Sequence, residues 1–137
     1  MSERDPAAAR KWMREAAFSG IVDAQFRIGV ANWSGIGGKV DQREAVRWLC
    51  RAAEGGSAKA AAMLAGFLMT GNGLAYSPAR AWALFMRAAK MGNENAAATA
   101  KILERQLPLQ EKRVQRSLLR IKDSKTFLEK LIPRSER

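Results

Sequence analysis

The residue types that most often carry chemistry are scarce in this chain, and their spacing matches no catalytic or metal-binding motif. It contains no histidine, which removes the usual general base, the usual metal ligand and the usual pH switch together. Cys50 is the only cysteine, so neither an internal disulfide nor a cysteine zinc site can form. With no histidine to activate it, Cys50 reads as a small apolar filler rather than a nucleophile. The acids Asp23, Asp41, Glu44, Glu54 and Glu94 show no motif-grade spacing, and helix caps or surface pairs explain several of them. Gly35-Ile36-Gly37-Gly38 is rich in glycine, but a phosphate-cradling loop follows a strand and this one follows a helical pattern. The expectation is a protein that is not an enzyme, with no cofactor and no metal.

What remains is recognition. The formal charge is +11 over 137 residues, a field that attracts nucleic acid, anionic lipid or an acidic protein without choosing among them. Residues 107–137 hold 9 Lys/Arg against 4 Asp/Glu, so the tail is the more densely charged part. The first twelve residues, MSERDPAAARKW, lack the apolar core of a secretory signal. No run approaches the ~18 apolar residues of a membrane span. A reducing, cytoplasmic setting is expected.

The elements that must present a binding surface are written as a repeat. WMREAAFSG from Trp12, WLCRAAEGG from Trp48 and LFMRAAKMG from Leu84 follow one another at 36 residues, and Ala16-Ala17, Gly20 and Ala24 recur at the same interval without gaps. Self-similarity at this period marks stacked supersecondary units, none able to bury its apolar face alone. Each unit reads as two helices. The first opens at Asp5-Pro6, Asp41 or Ser77-Pro78, where a short polar side chain caps orphan N–H groups and proline loses no hydrogen bond. It closes just before Gly20, Gly56 or Gly92, where a left-handed residue is cheapest as glycine. Apolar positions at i, i+3, i+4, i+7 and i+8 give the stripes Ala9-Trp12-Met13-Ala16-Ala17, Ala45-Trp48-Leu49-Ala52-Ala53 and Ala81-Leu84-Phe85-Ala88-Ala89. Trp12, Trp48 and Leu84 are expected inside. The second helices carry Ala24, Ile28, Ala31 and Ala60, Leu64, Phe67, Leu68. They break at Gly35–Gly38 and Gly71-Asn72-Gly73, whereas the third runs from about Glu94 to Gln106 into Pro108.

These residues resemble the Sel-one-like repeat, a relative of the tetratricopeptide repeat, most specifically in the AA…G…A core and the Gly-x-Gly loop. Asn32 and Leu68 stand where that family often has tyrosine, and the third copy has Ala100-Lys101 in place of Leu-Gly. The resemblance implies an all-α fold, a right-handed α-solenoid of three stacked helix-turn-helix repeats, and the tail's own residues, rich in Leu, Lys, Arg and Glu without interior Gly or Pro, add a C-terminal amphipathic helix. It implies a scaffold or adaptor role and brings no catalytic residue. Residues 1–107 are expected to form the solenoid (repeats about 5–40, 41–76 and 77–107), and 108–137 a basic capping or docking helix with a short tail.

Columns that vary while the frame holds point to the binding surface. One reads Arg10, Val46, Trp82 and the next Arg14, Cys50, Met86, each passing from charged to apolar. A freely solvated face has no reason to do that, so something covers Val46, Cys50, Trp82 and Met86: the chain's own tail, or a partner's helix or peptide in a groove. Beside them run Lys11 and Arg47, and Arg51 and Arg87, which form either an ordinary solvated face or a rim that meets carboxylates on a partner. The partner-binding set is therefore Val46, Arg47, Cys50, Arg51, Trp82, Met86 and Arg87. In the tail, Val114, Leu118, Ile121 and Leu128 share one face of a helix over 109–132, suited to capping the open end of the solenoid, to docking on a partner, or to joining a twin chain as a homo-oligomer. The leading expectation is a protein-binding adaptor or accessory subunit. The alternative is a nucleic-acid- or ribonucleoprotein-associated protein using its positive surface and tail.

Overall fold

In a computed structural model that describes residues 5–137, the chain is built from helices alone. They are α1 (Pro6–Phe18), α2 (Val22–Ser34), α3 (Gln42–Glu54), α4 (Ala58–Thr70), α5 (Pro78–Lys90), α6 (Glu94–Gln106), α7 (Leu109–Leu119) and α8 (Ser124–Leu131), then a 3-10 turn at Arg134–Glu136. Side-chain caps set the starts of α1, α3 and α5. The Asp5 carboxylate accepts from Ala8 N (3.1 Å), that of Asp41 from Glu44 N (3.0 Å), and the Ser77 hydroxyl from Arg80 N (3.2 Å). Their ends share one device. Gly20, Gly56 and Gly92 take φ of +92, +102 and +110°, and the following N–H reaches back to Ala16 O, Ala52 O and Ala88 O at 2.9–3.2 Å. This 6→1 bond closes the last turn, and the second helix starts after three residues in every hairpin.

The hairpins stack α1 on α2, α2 on α3, α3 on α4, and so on through α6. The alanine stripes form the seams. Ala45, Trp48, Leu49, Ala52 and Ala53 are all buried, as are Ala81, Leu84 and Ala88. Small side chains let helix axes approach closely, and a ring or isobutyl group fills each gap. Trp48 is only 2% exposed, in a cluster with Ala17, Ala24 and Ile28, and its ring meets that of Phe18 edge-on with centroids 4.8 Å apart. Trp12, expected inside with it, is instead 60% exposed. The difference is positional. Trp48 is covered by the hairpin before it, and among the described residues no hairpin stands before α1.

The tail departs further. It is two helices rather than one, because the chain turns at Arg120 and restarts at Asp123, whose carboxylate accepts from Thr126 N at 2.8 Å. It also does not cap an end. α7 lies on α5 and α8 reaches back to α3, so the tail retraces the stack along its first-helix side. Phe127, Leu128, Leu131 and Ile132 join the main core.

Candidate functional site

The side of the stack formed by α1, α3 and α5 carries both variable columns, and its coverings differ from repeat to repeat. In the first repeat Arg10 turns into its own glycine loop. Its guanidinium donates to Ile36 O (3.3 Å), to Lys39 O (2.8 Å) and to the Asn32 side-chain oxygen. That loop lies so close to α1 that a Cβ on Gly37 would stand 2.2 Å from Pro6 O. In the second repeat the same space is apolar. Val46 is buried near the Gly73 backbone and the Trp33 ring, which stacks on Phe67 at 3.9 Å. The pairing Arg10 with Asn32 has become Val46 with Leu68, both buried. The third repeat has no such loop, and Trp82 is buried where α7 packs on α5, with the Arg116 guanidinium 5.9 Å from its ring. The charged-to-apolar change in this column therefore follows what each repeat places over it.

The second column splits. Cys50 is fully buried on α3, which α8 covers, and burial pushes its thiol up to about 12, opposed by the nearby Arg137 charge. Met86 remains 39% exposed, so the chain's own tail does not close over it and, of the two coverings expected, only a partner is left for this position. Arg87, expected on a partner-facing rim, is buried. It donates to Lys122 O at 3.2 Å and to Ile121 O, holding the turn between α7 and α8, and lies 4.1 Å over the Phe127 ring. Its burial lowers its pKa from the ordinary arginine value, with Asp123 opposing. Arg47 and Arg51 do face solvent. Arg47 pairs with Glu44 at 3.4 Å, and Arg51 lies 4.8 Å over Trp48.

Among the tail positions, Leu128 is buried, Leu118 and Ile121 are half-buried, and Val114 is 64% exposed. Gln115 takes the inward place on α7. The physical reason is the turn at 120–123. A stripe counted across it mixes the faces of two helices, and Val114 falls outside both. Asp123 before Ser124-Lys125-Thr126 was the available signal, since aspartate at a helix start satisfies free N–H groups.

Residues outside the expected set complete this surface. Arg80 donates to Leu131 O (3.1 Å) and Glu136 (2.9 Å), tying the tail's end to α5. Arg137 donates from Nη1 to Glu54 at 2.9 Å and from Nε to Ile132 O at 3.0 Å, with its side chain 7% exposed. Its Nη2 is buried without a partner. Together with Arg47, Arg51, Glu54 and Arg134 it lines a cavity of about 280 Å³ between α3 and the end of the tail. Four guanidinium groups and one side-chain carboxylate thus share a single hollow. No group of three or more histidine, cysteine, aspartate or glutamate side chains able to hold a metal ion forms among the described residues. Nor is any helix there long and apolar enough to cross a membrane.

The Sel1 repeat family model matches residues 1–18, 22–57 and 58–93. Its two full matches each run from a second helix through the loop to the next first helix, so residues 1–18 match as the half that contains α1. No curated protein matches the chain. Among solved structures, a Sel1 repeat protein from Oxalobacter formigenes is 31% identical with a TM-score of 0.69, covering 73% of this chain and 41% of its own. The protein c5321, a protective antigen of uropathogenic Escherichia coli with an SLR fold, is 32% identical with a TM-score of 0.77, covering 96% of this chain. The present chain spans 41% and 27% of the lengths of those two proteins. With its matched repeats, their caps and their glycine turns all in register, the chain belongs to the Sel1 repeat family.

Proposed function

We propose that this protein is a non-catalytic interaction module, an adaptor or accessory subunit that binds another protein through its first-helix side. Sel1 repeats generally mediate protein–protein interactions. The observation that carries the proposal is the division of that side: its apolar column is closed by the chain's own loop and tail, while Arg47, Arg51 and Met86 stand open around the closure. Cys50, Trp82 and Arg87 then serve the surface from beneath, by fixing the tail that forms one wall, and Val46 does so by seating the glycine loop. The charge of +11 favours an acidic partner. The two-part division, residues 1–107 as solenoid and 108–137 as docked tail, is part of the same proposal, as is a cytoplasmic setting.

A photo-crosslinking residue placed at Met86 or Arg51 of the full chain, expressed in its native host, tests the proposal. Discrete protein adducts are expected at these sites, few at exposed Lys101, and they should persist at 200 mM salt. Adducts that disappear on nuclease treatment, or binding that falls by orders of magnitude between about 50 and 200 mM salt, would establish the phosphate-driven alternative instead.

A further inference from the structure

We infer that the hollow between α3 and the end of the tail is an oxyanion socket, built to take clustered carboxylates of an acidic protein segment. It is lined by Arg47, Arg51, Arg134, Arg137 and Glu54. The ion pairs around it do not balance its charge. Arg137 is met by Glu54 at 2.9 Å and Arg134 by Glu129 at 3.1 Å, while Arg47 meets Glu44 only at 3.4 Å. Among the described residues Arg51 forms no ion pair, and it rests over the Trp48 ring 4.8 Å away. Glu54 is the one acidic side chain in the lining.

The second observation is the buried guanidinium. The Arg137 side chain is 7% exposed, yet its Nη2 has no partner. A buried cation with an idle donor costs free energy unless opposing charge is brought near it. An oxyanion in the adjoining hollow supplies that charge. Guanidinium groups suit the task, since their planar forks bind carboxylates through two parallel hydrogen bonds. At about 280 Å³ the hollow exceeds a single carboxylate and suits two or three neighbouring ones. No aromatic side chain lines it, so it offers no platform on which bases could stack. The half from α3 and the half from the tail meet only when the tail is docked, so ligand and tail stabilise each other.

The proposed function enters only in making another protein the source of the carboxylates; the socket's chemistry does not depend on it. The test uses the full chain and a labelled hexaglutamate peptide, read by fluorescence anisotropy at about 50 mM salt. Arg51→Gln and Arg134→Gln alter exposed side chains, and an unchanged thermal melt confirms folding. Each is expected to weaken binding about tenfold, the double variant more, and Arg113→Gln, exposed on α7, less than about twofold. A peptide carrying phosphoserines that binds with the same variant pattern supports the socket and assigns its oxyanion to phosphorylation. Equal losses in all three single variants overturn the proposal in favour of a general positive field, as does a twelve-nucleotide single-stranded DNA that binds tighter than either peptide. Intact crosslinks at Met86 beside unaffected peptide binding in the socket variants would remove the socket and leave the adaptor; the reverse pattern would do the opposite.

Discussion

Trp12 and Trp48 occupy the same position in successive repeats, yet replacing them with alanine should have very different costs. Trp48 is 2% exposed against Ala17, Ala24 and Ile28, whereas Trp12 is 60% exposed. Removing a buried tryptophan forfeits its transfer free energy and leaves a cavity, about 3–5 kcal/mol together. The collapse of Ala17 and Ala24 into that cavity is limited, because both are fixed by helix hydrogen bonds and carry no longer side chain to swing inward. An exposed substitution stays within roughly 0.5 kcal/mol, and the part of Trp12 that is covered raises this to about 1. The Trp48 Nε1 group is buried without a partner, so deleting the ring also removes an unpaired donor and places the expected loss near the lower end, about 3 kcal/mol. Urea denaturation followed by circular dichroism at 222 nm measures both. With a slope of about 1.5–2 kcal/mol/M, Trp48→Ala should lower the midpoint by about 1.5–2 M and Trp12→Ala by about 0.7 M or less. Equal shifts, or a larger one for Trp12, would refute the account of how one hairpin covers the next.

Other outcomes follow from single contacts. Gly37→Ala should destabilise by more than about 2 kcal/mol, combining a φ of +73° with a Cβ 2.2 Å from Pro6 O, whereas Gly20→Ala, with open space around it, should cost about 1–2 kcal/mol from its backbone conformation alone; paired chemical denaturation compares them. Cys50 makes stability fall at alkaline pH. Its thiol titrates from an ordinary 9.0 when unfolded but near 12 when folded, so only the unfolded state ionises between those values, and the stability present below 9.0 declines as pH rises through that window. Cys50→Ala should flatten that decline in a series of melts, and an unchanged slope would show that the thiol is not desolvated. Asp123 acts in the opposite direction. The Thr126 hydroxyl, then its N–H, hold the carboxylate below its usual range, so its contribution is present above the ordinary carboxylate pKa and is lost as pH falls through the folded value. Protection factors of the α8 amides, taken relative to the intrinsic exchange rate at each pH, should fall in acid, and less so in Asp123→Asn.

The frame of the molecule was legible because every repeat states it again. Caps at Asp5, Asp41 and Ser77, left-handed glycines at Gly20, Gly56 and Gly92, and the alanine seams each recur at 36 residues, so local chemistry and global stacking point the same way. Trp12 was misplaced for the same reason. The period describes what Trp12 is, but its burial depends on a neighbour that the period does not guarantee. The variable columns signalled a covering correctly at Val46, Cys50 and Trp82. They did not show that three different things provide it: a glycine loop beside Trp33, the end of the tail, and α7. Met86, on the same column, is left open because no element reaches it. The tail has no second copy against which to read it. Its hydrophobic spacing could be threaded through one helix, and only the cap at Asp123 divides it. The socket was half visible, as Arg47 and Arg51. Arg134 and Arg137 join it through long-range docking that no local pattern encodes.

The claim on which the rest turns is that the tail lies along α3 and α5, closing the apolar column and building one wall of the socket. The only thiol in the chain reports on it directly. Cys50 lies buried on the helix that α8 covers, so in the intact protein its reaction with a small disulfide reagent should be at least about a thousandfold slower than in denaturant, gated by opening of the structure. Phe127→Asp, which places a charge in the tail's buried contact, should restore most of that rate while the helical circular dichroism of the repeats persists. Fast labelling of the intact protein, or a rate untouched by Phe127→Asp, would contradict the docked tail.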